Sequence, residues 1–318
     1  MRIFLTGATG FAGSHLVDRL LADGHELFAL VHSATSHQQL PAVAQVKEIP
    51  GDLLQLTSLK RVVAEVRPDI IFHLAGQAYP ALSWQNPALT MAVNAGGTAN
   101  LLEAAVAYGR PRVVVVTSAE IYGPIRDDML PLTEATIPEP RHPYGISKMA
   151  AGQLVSVYWQ RYQLPVVEAR PFNHIGPRQM PGFVVPDFAS QLAAIKLGQK
   201  PPLMSVGNLN AQRDFTDVRD VAAAYVDLAD KGHSGEAYLI CSGQPVSIHD
   251  LLNILSEQAD VTVEVVFDPA RMRPSDTPRL YGSYGKIEEH TGWRPQIPLR
   301  QSLQDALNDW LERLRDDD

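Results

Sequence analysis

Residues 3–14 read IFLTGATGFAGS, a short apolar run that stops at Gly7 and passes through Gly10 and Gly13 into a helix-like stretch from Ala12 to Ala22. A strand that turns directly into a helix buries both elements only if the helix folds back over a sheet, so this segment commits the chain to βα construction. Gly7 is suited to the tight turn, Gly10 to close approach of a pyrophosphate, and Gly13 to tight packing of helix on sheet, with phosphate at the helix N-terminus. The spacing is G-x2-G-x2-G rather than the commoner G-x-G-x2-G, and a glycine triplet alone is weak evidence. Its place in the first strand-helix junction gives the expectation of a dinucleotide held by Gly7, Thr9, Gly10, Phe11, Ala12 and Gly13.

The same alternation continues. Residues 3–6, 26–31, 70–75, 112–118 and 166–171 are short β-branched or aliphatic runs, and residues 12–22, 56–66, 89–108 and 144–162 read as helices between them. The pattern predicts an α/β protein: a Rossmann-like doubly wound parallel sheet with a smaller α/β substrate-binding lobe. After Pro171 the chain is richer in Gly and Pro, where such a lobe is expected. The expected division is residues 1–171 plus about 214–243 for the dinucleotide, and about 172–213 plus 244–318 for the substrate. Leu303, Ala306, Leu307, Trp310, Leu311 and Leu314 recur at helical spacing before an acidic tail, a packing helix by its pattern.

Charge removes other classes of partner. With 27 Lys+Arg against 35 Asp+Glu, the net charge of -8 and the lack of a basic cluster exclude nucleic acid and anionic membrane surfaces as expected partners. No apolar run approaches the roughly 18 residues of a membrane span. Cys241 is the only cysteine, so no intrachain disulfide or cysteine-based metal site can form, and its apolar setting YLIC predicts a packed thiol. The chain is strand-like from Ile3 onward and opens on no signal-peptide pattern, giving a cytoplasmic expectation. No H-x3-H or H-E-x2-H spacing suggests a metal.

The end of the second run bears on which dinucleotide is used. An acidic residue there would accept hydrogen bonds from the adenosine ribose, but this chain has Val31 followed by His32. That disfavours strict NAD use, and no arginine stands at 31–36 to hold a 2'-phosphate, so NADP(H) is favoured over NAD(H) by the missing acid alone. Asp52 and Leu53 in GDL, and Leu74, Ala75 and Gly76 at the end of the 70–75 run, complete the expected cofactor contacts.

Tyr144 and Lys148 stand four apart at the start of a predicted helix and therefore share a face. A nearby ammonium is expected to lower the phenol pKa and so permit proton exchange with a substrate oxygen near neutral pH. Ser118 ends the run RVVVVTS, and in parallel sheets sites gather at strand C-termini, so it can serve the same oxygen.

The strings TGATGFAG, VTSAEIYG, PYGISK and RPFNHIGP resemble the extended short-chain dehydrogenase/reductase family that acts on nucleotide-diphosphate sugars, and the resemblance extends to TGWRPQIPL near the C-terminus. FNHIGP, GNLNAQRDFTDVRD, YLICSG and RPSDTPRLYGS are most similar to its members that reduce GDP-4-keto-6-deoxy-D-mannose, then to those that dehydrate GDP-mannose. The resemblance implies a dimer joined through a helical bundle and an active set of Ser118, Tyr144 and Lys148. It also implies His174 at the dinucleotide, Asn173, Arg213 and Arg273 at the substrate diphosphate, and Asp276 near the nucleotide ribose. Arginines make sense here, because a GDP-sugar brings two phosphates that an acidic chain must neutralise locally. A surface ion pair of Arg213 with Asp214 or Asp217 is the plainer alternative.

Reduction at C4 needs a hydride and a proton, which the Ser-Tyr-Lys set can manage. A 4,6-dehydratase must also remove the C5 proton and expel the C6 hydroxyl, and Glu120 stands where dehydratases of this family keep an extra glutamate. Ala119, however, replaces a proton-bearing neighbour, and HSATSHQ after the second strand lacks the arginine pair of GDP-mannose dehydratases. The sequence thus favours conversion of GDP-4-keto-6-deoxy-D-mannose to GDP-D-rhamnose, with dehydratase, 4-epimerase and non-catalytic dinucleotide sensor as alternatives.

Overall fold

The first strand, β1 (Arg2–Thr6), feeds helix α1 (Phe11–Ala22) through the glycine turn, in a computed structural model that describes residues 1–32, 45–271 and 277–316. The chain adds β2 (Glu26–Val31) and β3 (Val46–Pro50) on one side of β1, then returns through α2 (Leu56–Val66) to place β4 (Ile70–His73) on the other. Helices α3 (Pro80–Gln85), α4 (Pro87–Met91) and α5 (Gly97–Ala107) lead to β5 (Arg112–Val116), and the long α6 (Pro143–Tyr162) leads to β6 (Val166–Pro171). Next come β7 (Asn173–Ile175), α7 (Val184–Lys196), β8 (Leu203–Val206), β9 (Gln212–Asp217), α8 (Val218–Lys231) and β10 (Ala237–Ile240). The chain closes with β11 (Pro245–Ser247), α9 (Ile248–Ala259), β12 (Glu264–Phe267), β13 (Arg279–Leu280), α10 (Gly285–Thr291) and α11 (Leu299–Asp316).

Seven strands form one sheet in the order β10-β6-β5-β4-β1-β2-β3, and every neighbouring pair is parallel. This is the doubly wound α/β sheet that the alternation predicts. Strand order reverses between β1 and β4, which opens a crevice at their C-terminal ends. Side chains alternate across the sheet. Ile3 and Leu5 face the layer of α1 and α8, while Phe4, Val113 and Val115 face that of α2, α5 and α6. A separate core of Val185, Phe188, Leu192, Leu251, Leu255, Leu303 and Leu307 joins α7, α9 and α11 around the short strands. Cys241 is fully buried, as its apolar setting predicts.

Several elements differ from the sequence reading: β3 is a strand that the runs did not include, and the 70–75 run ends its strand at His73. Residues 89–108 do not form one regular helix: a single π-helical turn, Ala92–Gly96, lies between α4 and α5. The widened turn directs buried Asn94 inward, where it bonds Gln77 and Ser147. The fifth strand ends at Val116 rather than Ser118, because Ser118 caps the 3-10 turn Ala119–Ile121 by accepting from the Glu120 amide at 3.1 Å.

Candidate active site

The glycine turn is built as a cradle. Gly7 has φ +77°, and a Cβ there would lie 2.6 Å from the Ala75 amide nitrogen, so only glycine lets the β1 and β4 ends approach this closely. A Cβ at Gly13 would run into the Gly7 carbonyl. No side chain caps α1, whose Ncap is exposed Gly10, so its first amides are left to bind an anion. These features fit the pyrophosphate of a dinucleotide. Thr9, Phe11 and Ala12 are half-buried around the turn, and Leu74 and Ala75 are tied to Thr6, their amides donating to its carbonyl (3.0 Å) and hydroxyl (3.3 Å).

Other expected cofactor residues are placed variously. His32 is exposed after β2. Asp52 accepts from the Leu54 amide at 2.9 Å, and buried Leu53 packs where a Gly97 side chain would otherwise sit, its carbonyl bonded by Asn100. His174 stacks on Phe11 with ring centroids 5.6 Å apart and donates from Nδ1 to the Phe172 carbonyl. Burial lowers its pKa, which favours a neutral ring against Phe11.

Ser118, Tyr144 and Lys148 are all buried, and Lys148 reaches the turn after β4 at Gly76. Tyr144 and Lys148 share a face of α6, and the Tyr144 hydroxyl is hydrogen-bonded with Ser118. Lys148 Nζ donates to the Val116 carbonyl at 3.0 Å, and a Cβ on Gly76 would stand 3.4 Å from it. The sequence reading expected Lys148 to lower the Tyr144 pKa. Instead, burial dominates and pushes the phenol up to about 12, with Ser118 pulling it down and the Glu120 charge pushing it further up. Burial likewise lowers Lys148 to about 8, opposed by the charge of Glu168.

Glu120 reaches the same end of the sheet from the 3-10 turn. Its Oε2 lies 3.0 Å from Nε2 of His142, a residue that the sequence reading missed. His142 also caps α6: its Nδ1 accepts from the Gly145 amide at 3.0 Å, which assigns the ring proton to Nε2 and makes that nitrogen the donor to Glu120. Arg213 on β9 feels the Glu120 charge and donates to the carbonyls of Gln212 and Pro278. Asp217 pairs with Arg219, and Asp214 accepts from Ser242, Gly243 and Gly282. Asn173, half-buried, donates to the Asp214 carbonyl at 3.3 Å. Arg273 and Asp276 lie outside the described residues. Among the described residues no three His, Cys, Asp or Glu side chains are grouped to hold a metal, and no helix is long and apolar enough to cross a membrane.

Comparison with known proteins places this geometry. The profile of the family described as GDP-mannose 4,6 dehydratase matches residues 4–306. The chain belongs to that family. Among relatives of the GDP-mannose 4,6-dehydratase family, a GDP-6-deoxy-D-mannose reductase of Pseudomonas aeruginosa is 39% identical over 317 residues, covering 99% of both chains. A GDP-mannose 4,6-dehydratase of Sinorhizobium fredii is 27% identical, over 98% of this chain and 97% of the relative. Among solved structures, RMD from Pseudomonas aeruginosa complexed with NADPH superposes with a TM-score of 0.86 at 36% identity, over 98% of this chain and 100% of that one. A UDP-glucose 4-epimerase of Thermus thermophilus in complex with NAD gives 0.86 at 32% identity, over 98% and 99%. Relatives and structural neighbours with reductase, dehydratase and epimerase names thus share one fold, and the fold alone does not discriminate between these activities.

Proposed function

We propose that this enzyme reduces GDP-4-keto-6-deoxy-D-mannose at C4 to GDP-D-rhamnose, with NADPH preferred to NADH. The observation that carries this reading is a buried phenol held protonated, hydrogen-bonded to Ser118 at the C-terminal ends of the parallel strands. Reduction of a ketone needs a proton donor at the oxygen where negative charge develops, and a phenol near pKa 12 remains a donor across the physiological range.

When bound, the reduced nicotinamide supplies the hydride. Tyr144 gives its proton to the C4 oxygen, and Ser118 donates to the same oxygen and stabilises the charge formed there. Lys148 holds a cofactor ribose and keeps positive charge beside Tyr144. The Gly7–Gly13 turn and the open amides of α1 hold the pyrophosphate, with Asp52, Leu53, Ala75, Gly76 and His174 along the rest of the dinucleotide. Arg213, Asn173, Arg273 and Asp276 take the sugar nucleotide, and Glu120 lies beside the sugar. In this reading the dinucleotide belongs to residues 1–171 and about 214–243, and the sugar nucleotide to about 172–213 and 244–318. The absence of an acid at Val31 and His32 supports NADPH. Ile146 and Val157, exposed on one face of α6, support a homodimer joined through that helix, and sedimentation at micromolar concentration tests it. The lone buried thiol suits a cytoplasmic setting.

The deciding assay mixes the pure protein with the ketone and NADPH or NADH, follows loss of reduced cofactor, and identifies the product sugar. Consumption of NADPH with formation of GDP-D-rhamnose is expected. Water loss from GDP-mannose without added reductant, and no cofactor consumption with the ketone, would replace the reductase reading by the dehydratase.

A further inference from the structure

The mechanism above makes no use of the one carboxylate buried beneath its lysine. Glu168, on β6, is 2% exposed, and its side chain points to the sheet face that α6 covers. Gly152 lies one helical turn beyond Lys148 on α6, and a Cβ there would collide with the Glu168 carboxylate. The missing side chain is therefore the space in which that carboxylate sits, on the same helix face as Lys148.

The carboxylate is clamped by three hydrogen bonds from two residues. Arg170 donates to it through Nε (2.9 Å to Oε1) and Nη2 (2.8 Å to Oε2), and the Thr117 hydroxyl donates to Oε1 at 2.6 Å. Arg170 is itself steadied by Nη1 donating to the Tyr122 hydroxyl. Thr117 follows Val116, whose carbonyl accepts from Lys148, so the clamp and the lysine anchor are consecutive residues of one strand end. Other titratable groups facing this cluster are His73 from β4, neutral between Thr6 and Thr98, Tyr144 from α6, and Glu134, which accepts from the Leu239 amide on β10 and reaches Tyr122. Among the described groups, Glu168 is the buried anion that bears on Lys148.

We propose that Glu168 is a positioning residue for Lys148: its carboxylate, seated in the space left by Gly152 and held by Arg170 and Thr117, keeps the buried amine protonated and fixed beside Tyr144. An ammonium with 6% exposure needs a counter-charge to survive at neutral pH. Burial brings this one down to about 8 even with the Glu168 charge opposing it, so removing that charge lowers it further toward the neutral amine.

The inference rests on the reading that Lys148 serves the reaction, and its test separates the two. Lys148 is titrated directly in the enzyme without sugar, by the pH dependence of its acetylation read by peptide mass spectrometry. The pH dependence of kcat/KM with the ketone is measured alongside. In Glu168→Gln, which keeps the acceptor for Thr117, the Lys148 titration moves down by about one pH unit or more, and the alkaline limb of kcat/KM follows it. Should that variant fail to fold, Glu168→Asp keeps the charge but withdraws it, and shows a smaller shift in the same direction. An unmoved Lys148 titration in the folded variant overturns the proposal. A moved titration in a protein that reduces no sugar ketone leaves it standing and overturns the reductase reading instead.

Discussion

Glu120 Oε2 and His142 Nε2 stand 3.0 Å apart, so the turn that follows β5 and the cap that precedes α6 are tied side chain to side chain. Ser118 belongs to that turn and Tyr144 to that helix, so the tie bears on the distance between them. His142→Asn replaces the capping Nδ1 by an oxygen that can accept from Gly145, but its shorter side chain carries no donor out to Glu120. It should lower kcat about tenfold with little change in thermal midpoint. His142→Ala also loses the cap, at a cost of about 1 kcal/mol, and should show the same kcat loss with a lower midpoint. Equal kcat in His142→Asn and the parent would show that the tie has no part in the reaction.

Tyr144→Phe removes the proton donor while keeping the ring in its packed site. Turnover of the ketone should drop by about 10²–10⁴-fold, with NADPH affinity, read by fluorescence titration, within about twofold of the parent. Because burial holds Tyr144 at about 12 and Lys148 at about 8, the alkaline limb of the parent profile should track Lys148. Retained turnover in the variant would mean that another group protonates the product.

Glycines with the same backbone strain separate cofactor binding from stability. Gly7 and Gly24 both have φ +77°, but a Cβ on Gly7 meets Ala75 and one on Gly24 meets nothing within 4 Å. Gly24→Ala should cost about 1 kcal/mol in urea unfolding and leave NADPH binding intact. Gly7→Ala should cost more and weaken NADPH binding at least tenfold, because the turn must open to admit the methyl group. Equal binding in the two variants would remove the cradle argument.

His73 makes stability depend on acid. It is fully buried, bonded by Thr6 at 2.7 Å and Thr98 at 2.9 Å, and burial, with Lys148 nearby, drops its pKa to about 3. Its folded value lies below its unfolded value of 6.5, so unfolding takes up a proton below pH 6.5. The contribution is whole above that pH and drains as pH falls toward 3. Urea unfolding of His73→Gln should show a stability slope between pH 6 and 4 shallower by up to about 1.4 kcal/mol per pH unit, with the lowered His15 and His174 still contributing. An unchanged slope would show that His73 is not held neutral.

Local patterns made much of this legible. The strand-turn-helix at Gly7, the short apolar runs and the four-residue spacing of Tyr144 and Lys148 are set by neighbours in the chain; the turn and the spacing appear where their patterns predict, and the runs at 70–75 and 112–118 form strands that stop early, at His73 and Val116. The π turn at Asn94 was not legible, because Leu89 to Tyr108 keeps a helical pattern through it and only contacts with Gln77 and Ser147 reward the widened turn.

The sequence by itself determined the doubly wound sheet and the candidates Ser118, Tyr144 and Lys148, because periodicity, the end of an apolar run and the four-residue spacing of Tyr144 and Lys148 are local to the chain. Tertiary structure alone decided that His142 holds Glu120, that Glu168 fills the space beside Gly152, and that burial raises Tyr144 rather than Lys148 lowering it. Each of these depends on groups from separate strands and helices meeting where water is excluded, and neither desolvation nor such a meeting is written in spacing along a chain.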